Sequence, residues 1–180
     1  MNSGELITAI AAGDRAAFKQ LYRAKYAALV AFAGAILCGD RAGGEDAVDE
    51  AFLDIWRSAA NYTGTGSADG WIRRIVRNKA IDLLRKRREL LSDDPWRAGT
   101  AAEPASTEPS PFDVAQAAGD AQSLHLALGQ LSPDQREVVW LCYYEDLPLR
   151  EIAAIVGCPE NTVKTRLFHA RQQMRRRMAA

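Results

Sequence analysis

Apolar residues recur at helical spacing from about Glu5 onward. Phe18, Leu21, Tyr22, Leu29, Phe32, Ala33 and Ile36 follow one another at steps that place them on one face of a helix, and Gly39-Asp40 ends the run. A second helix is predicted from about Gly44 to Ala60, with Val48, Phe52, Ile55 and Ala59 on one stripe and Asp46, Asp49, Glu50, Leu53 and Trp56 displaced to the side. The segment from Asn61 to Gly70 is rich in Gly, Thr and Ser and reads as a loop. A third helix begins between Ser67 and Trp71. It turns Ile72, Ile75, Val76, Ala80, Leu83 and Leu84 inward and leaves Arg73, Arg74, Arg77, Asn78 and the basic cluster at 85–88 facing outward.

The pattern breaks between 91 and about 119. Pro95, Pro104, Pro109 and Pro111 stand among Ser, Thr, Ala, Gly and acids with few apolar anchors, so this stretch is expected to be a flexible acidic linker. Helical periodicity resumes at Ala121, with Leu124, Leu128 and Leu131 on one face. Ser132-Pro133-Asp134-Gln135 then supplies a cap, a first-turn proline and a capping-box Gln for a helix carrying Val138, Val139, Leu141 and Cys142. From Leu149 to Met174 the chain reads helix, tight turn, helix. Ile152, Ala153 and Val156 line the first helix, Gly157 makes the turn, and Val163, Leu167, Ala170 and Met174 return to the core from the second.

Charge changes this picture from a plain helical protein to one with polarised segments. The 180 residues carry 23 Lys+Arg and 23 Asp+Glu, a net charge of zero that by itself argues against a nucleic-acid partner. The charges are segregated, however. Residues 71–88 hold eight cations and one acid, and residues 164–177 hold six cations and no acid, while acids gather in 40–54 and 89–120. Two basic and two acidic segments point to a polyanion plus a second partner.

In the last helix Asn161, Lys164, Thr165, Phe168 and Arg171 share the outward face, flanked by Thr162 and His169. Cations, hydrogen-bonding groups and an exposed aromatic suit a recognition helix in a major groove: Lys to guanine or phosphate, Thr to a base edge, Phe against a thymine methyl. The plain alternative is a helical hairpin with a solvated basic face. The basic helix after the 61–70 loop suits a single strand whose base is unstacked into that loop. Its plain alternative is a solvated helix in which Asp82 pairs with Arg85. Trp56 and Trp71 read as core or interface anchors.

Cys38, Cys142 and Cys158 are odd in number and widely spaced, which indicates neither a disulfide framework nor a zinc site. They read as small buried hydrophobes in a reducing cytosol. The longest apolar run, Ala27 to Cys38, is too short to span a bilayer and sits too far along the chain for a signal peptide. A cytoplasmic chain with no membrane insertion, no metal and no cofactor is expected.

Taken together, Gly44-Glu-Asp-Ala-Val-Asp-Glu-Ala-Phe-Leu-Asp-Ile-Trp56, the run from Gly70 to Arg85, Leu131-Ser-Pro-Asp-Gln-Arg-Glu-Val-Val, Leu149-Arg-Glu-Ile-Ala and Thr162-Val-Lys-Thr-Arg-Leu-Phe-His-Ala-Arg171 closely resemble bacterial extracytoplasmic-function (ECF, group 4) sigma factors. The resemblance covers about residues 5–176, in order and with the linker. It implies an all-α protein of two small helical domains, sigma region 2 at 5–90 and sigma region 4 with its helix-turn-helix at 120–178, joined by a linker at 91–119. It implies an alternative sigma factor, not an enzyme, that binds core RNA polymerase, recognises the −35 and −10 elements and helps melt DNA.

By the same resemblance Asp46, Asp49, Glu50, Leu53 and Trp56 dock on the β′ clamp helices. Asn61 and Tyr62 belong to the loop that captures a flipped −10 base, and Arg74, Arg77, Asn78 and Lys79 hold the melted strand. Asn161, Thr162, Lys164, Thr165, Phe168, His169 and Arg171 fall at the −35 face, where His169 departs from a position that is often Arg. Val138 to Tyr144 is expected to be partly an interface for the β flap, and the linker to thread toward the polymerase active centre. An anti-sigma factor is implied, and the short stretch after Met178 favours a separate protein over a fused domain. Two other classes stay open from the residues alone. One is a regulator with a real helix-turn-helix and a sensing or dimerising first half. The other is an enzyme, for which only His125 and His169 and no nucleophile motif speak.

Overall fold

The structure is a computed structural model that describes residues 1–92 and 128–178. The 91–119 linker expectation, with Leu124 and His125, lies almost wholly outside the described residues. Among the described residues there are helices and no strand, in two groups. The first comprises α1 (Ser3–Ala11), α2 (Arg15–Ile36), α3 (Arg41–Ser58), a 3₁₀ turn at Ala59–Asn61 and α4 (Ala68–Ser92). The second comprises α5 (Pro133–Tyr143), α6 (Leu149–Val156) and α7 (Glu160–Met178). No helix among the described residues is long and apolar enough to cross a membrane.

Local chemistry explains each helix boundary. Asn2 and Glu5 form a capping box that starts α1. The sequence pattern runs on from Glu5 without a visible stop, yet the chain breaks after Ala12. Gly13 takes the left-handed conformation at φ 87°, and the Asp14 carboxylate accepts from the N–H groups of Ala16 and Ala17 at 2.7 and 3.1 Å. The helix α3 also begins three residues before the expected Gly44, because Asp40 caps it through the Gly43 N–H at 2.9 Å.

Both glycines therefore lie inside α3, for a packing reason. A Cβ on Gly44 would come 3.0 Å from the Val30 carbonyl oxygen and 3.1 Å from the Gly34 nitrogen, both backbone atoms of α2. The first core forms around this close crossing. Phe32, Ile36, Val48, Ala51, Phe52 and Ile55 are buried there against Leu21 from α2, Ile7 and Ile10 from α1, and Ile72, Val76 and Ala80 from α4. That core continues into the second helical group, where Val138 and Leu141 lie with Ile152 and Ile155 of α6 and Val163, Leu167 and Ala170 of α7.

Most of the periodic residues expected inside are buried, while Phe18, Tyr22, Ile75, Leu83, Leu84 and Ala153 are half-buried. Val48, Phe52, Ile55 and Ala59 are buried, as are Val163, Leu167 and Ala170, with Met174 half-buried. The Ser132–Gln135 capping box forms as expected, and Gly157 ends α6 at φ 71°. The three cysteines are unpaired and half-buried.

Two carboxylates pin the first helical group by charge. Burial alone would raise the Asp40 pKa, but the Gly43 N–H and the Arg87 guanidinium at 2.6 Å outweigh it and hold the carboxyl below its ordinary value. Asp69 is held low in the same way, its burial outweighed by Ser3 Oγ at 2.6 Å and Lys25 Nζ at 2.9 Å. A lowered carboxylate contributes stability that is complete above its unfolded value of about 4 and is lost as pH falls through the folded value. Urea midpoints followed downward from pH 7 are expected to fall below about pH 4. In Asp40→Asn, which keeps a capping oxygen, that acid-side loss is expected to be shallower. Gly44→Ala forces the α2–α3 crossing apart and is expected to cost about 1–3 kcal/mol in denaturant unfolding.

Candidate nucleic-acid and polymerase interface

Three helical faces carry the residues singled out by sequence. On α3, Asp46, Asp49, Glu50, Leu53 and Trp56 all project from the side opposite the buried stripe, with Leu53 56% exposed. An exposed leucine and tryptophan within an acidic patch give this face an amphipathic character. It is also stiffened from below. Phe18 meets Trp56 edge-on at 5.4 Å between centroids, and the Tyr22 hydroxyl donates to Asp49 Oδ1 at 3.1 Å. Burial and then the Asp49 carboxylate push the Tyr22 pKa well up, so the phenol stays a donor. Neither aromatic was singled out from sequence as a support, since both read simply as core positions of α2.

The second face lies where the 61–70 loop enters α4. Asn61 is exposed at the end of the 3₁₀ turn, while Tyr62 is half-buried with its ring 5.5 Å from that of Trp71. Gly64 and Gly66, at φ 72° and 86°, let the loop double back. Arg74 and Asn78 are exposed on α4.

The expectation that the α4 cations all face outward needs correction. The Arg77 guanidinium is folded onto Glu137 of α5, with Nε 2.6 Å from Oε2 and Nη2 3.1 Å from Oε1, and its side chain is 17% exposed. Arg73 pairs with Glu145. Lys79 turns back to α3, where its Nζ lies 2.6 Å from Asp54 and 3.7 Å from Glu50. The Asp54 hydrogen bond raises the Lys79 pKa and keeps it charged. Each of these cations sits within reach of a buried or half-buried acid outside α4, Glu137 on α5, Asp54 on α3 or Glu145 in the turn after α5, and the ion pair is preferred to solvent. Asp82, at 3.6 Å from Arg85, makes the local helix pair expected of a solvated face, and Glu89 adds a second at 3.7 Å from the same guanidinium.

The third face is α7, which follows the turn at Gly157. Asn161, Lys164, Thr165, Phe168, His169 and Arg171 are exposed and Thr162 is half-buried, so the expected set is brought together on one side. Phe168 is 62% exposed, with His169 beside it at 5.5 Å. The Thr165 hydroxyl donates to the Asn161 carbonyl at 2.9 Å, leaving its lone pairs and methyl toward solvent. The Arg171 guanidinium lies over the Tyr143 ring at 5.5 Å, which ties this face of α7 to the end of α5. There Tyr143 and Tyr144 are more than half exposed while Val138, Val139 and Leu141 are buried, so the Val138 to Tyr144 stretch is core at its start and surface at its end.

Three acting residues were missed by sequence: Arg136, Glu137 and Glu145. Glu137 carried a signal, because it stands four residues before buried Leu141 and so occupies a core position with a charge. Arg136 is also buried. Its guanidinium donates to the Ile36 carbonyl at 3.2 and 2.9 Å and to the Leu131 carbonyl at 2.7 Å, closing the C-terminal end of α2.

The comparisons with known proteins agree with this geometry. Residues 21–89 match the model of Sigma-70 region 2, and residues 121–174 match that of Sigma-70, region 4. The ECF RNA polymerase sigma factor SigE of Mycolicibacterium smegmatis is 34% identical over 143 residues; the match takes in 77% of this chain, which spans about half (53%) of the length of SigE. SigL of Mycobacterium tuberculosis, also an ECF RNA polymerase sigma factor, is 32% identical over 172 residues, 94% of this chain and 93% of its own length. Among solved structures, the sigma factor RpoE in complex with the anti-sigma factor NepR from Bartonella quintana superposes with a TM-score of 0.74 and 27% identity, over 91% of this chain and 97% of that one. With both helical groups matched in order, and with a relative of almost the same extent, the chain belongs to the ECF RNA polymerase sigma factors.

Proposed function

We propose that this chain is an alternative sigma factor of group 4. It binds bacterial core RNA polymerase in the cytoplasm, directs it to promoters through their −35 and −10 elements and assists melting, without catalytic chemistry of its own. The observation that carries this reading is the pairing of two unlike surfaces: the acidic, apolar-tipped face of α3 and the cationic, aromatic face of α7. One suits a protein partner and the other a major groove.

The residue roles follow. Asp46, Asp49, Glu50, Leu53 and Trp56 dock on the β′ clamp helices, and the exposed end of α5 meets the β flap. Asn61 and Tyr62 frame the pocket for a −10 base, with Arg74 and Asn78 on the adjoining strand. Lys164, Thr165, Phe168 and His169 read the −35 element, with Asn161, Thr162 and Arg171 near the backbone. Region 2 takes 5–90 and region 4 takes 120–178, joined through 91–119. Control falls to a separate anti-sigma factor, a reading supported by the RpoE–NepR structure.

Run-off transcription by sigma-free core polymerase on a library of −35/−10 spacers is expected to depend on added protein. Transcription that never depends on it sinks the reading. Charge reversal at Asp49 and Glu50 is expected to weaken core binding, measured by fluorescence anisotropy, and to leave −35 preference unchanged. Lys164→Ala and Thr165→Ala are expected to do the converse, each removing roughly 1–3 kcal/mol of discrimination at its base position.

A further inference from the structure

We infer that the first turn of α1 braces the base-capturing loop, with Ser3 and, from α2, Lys25 as positioning residues that fix the stems of the loop and so sharpen −10 selectivity. The inference rests on the reading of 61–70 as that loop. It adds the residues that hold the loop in shape.

The loop leaves and rejoins the first helical group through two short stems, and one turn of α1 touches both. On the entry side the Tyr62 N–H donates to the carbonyl of buried Ala59 at 3.1 Å, and the Tyr62 ring rests beside Trp71. On the exit side Ser67 Oγ accepts from the Gly70 N–H at 3.2 Å, and the Ser67 carbonyl accepts from the Trp71 N–H at 3.0 Å, which starts α4. A Cβ on Gly4 would lie 3.6 Å from Tyr62 Oη and 3.8 Å from Ala68 Cβ, so the backbone of α1 is seated against both stems. Next to it Ser3 Oγ donates to Asp69 Oδ1 at 2.6 Å, and Lys25 Nζ donates to the other carboxylate oxygen at 2.9 Å. Hydrogen bonds to an ionised group are roughly twice as strong as neutral ones, so this pair is a firm fixing point.

The brace is itself anchored. The Asn2 N–H donates to Glu5 Oε2 and the Glu5 N–H to Asn2 Oδ1, each at 2.9 Å, while Leu6, Ile7 and Ile10 are buried. The tip, by contrast, stands free: residues 63–67 are exposed, and nothing lies within 4 Å of the Cβ positions of Gly64 and Gly66. A bond between the Thr63 and Thr65 hydroxyls, 2.7 Å apart, is internal to the tip. A loop fixed at its ends and open at its tip presents a formed entrance to an unstacked base, because the stems are ordered before the base arrives. Ser3 and Lys25 both bond to Asp69, not to the α3 or α7 faces, which confines their effect to the loop.

The test uses the full chain with core polymerase, on a promoter selected from the −35/−10 library and on derivatives with each −10 base replaced. In Ser3→Ala the ratio of open complexes on the preferred promoter to those on the replaced ones is expected to fall about fivefold, as the competent loop shape becomes less populated. Ser3→Thr, which keeps the hydroxyl, is expected to retain the ratio, and Lys25→Met to lower it. Core affinity and −35 preference are expected to stay as in wild type. Amide exchange across 62–70 in the free chain is expected to quicken in Ser3→Ala, with 44–58 unchanged.

Asn61→Ala separates failure of the brace from failure of the loop reading. If Asn61→Ala lowers −10 discrimination and Ser3→Ala does not, the brace is overturned and the loop reading stands. If Asn61→Ala leaves discrimination intact, the loop reading falls and the brace with it. Equal losses of core affinity, −35 preference and −10 discrimination in Ser3→Ala would mark a general loss of stability and also overturn the proposal, as would unchanged exchange across 62–70.

Discussion

A carboxylate with no access to water sits where the two halves of this molecule meet. Burial pushes the Glu137 pKa upward, and the charge is tolerated because Arg77 and Arg166 reach it from two sides. Removing one partner of such a pair typically costs about 3–5 kcal/mol, since a charge is left buried and unmatched. One partner belongs to the first helical group and the other to the second, so satisfying Glu137 brings the groups together. Its neighbour Arg136 works in the other direction along α5, closing the end of α2, and burial lowers its pKa because it meets carbonyl dipoles where a carboxylate would otherwise serve. Two adjacent residues thereby fasten α5 to both α2 and α4.

This placement separates candidate faces that are exposed from one that is partly neutralised by the protein's own acids. The α3 face and the α7 face remain in solvent, each supported from its own core: Tyr22 under Asp49, Val163 and Leu167 under Lys164 and Phe168. The α4 face is divided. Arg74 and Asn78 look outward, whereas Arg73, Arg77 and Lys79 are matched by acids outside α4. The zero net charge is consequently more than a sum of two surfaces. Part of it is internal neutralisation of a basic helix by the protein's own acids.

Much of the architecture was legible in the residues. The apolar spacing identified the inner faces of α2, α3, α4 and α7, and the cap residues Ser132 and Gly157 marked real boundaries. The gathering of Lys164, Thr165, Phe168 and Arg171 on one face was equally readable, because helical periodicity alone decides which residues of one helix share a side. Where local pattern misjudged the chain, the cause was a long-range contact or an overlooked cap. Gly44 was expected near the helix start, yet it lies inside α3, where α2 passes so near that a Cβ would meet the Val30 carbonyl oxygen at 3.0 Å. The break at Gly13-Asp14 escaped notice because the apolar spacing continues across it.

The sequence by itself determined most of the helices, their buried stripes and the identity of the two basic segments, because each depends on residues within a turn or two of one another. Only the tertiary structure decided which cations are available. Whether Arg77 faces a solvent or a carboxylate depends on a residue sixty positions away along the chain, and no periodicity within α4 encodes that distance. The same holds for Lys79 beside Asp54 and for Arg136 at the end of α2. A charge is a property of one residue, but its burial and its partner belong to the packing of helices, and that packing decides its function.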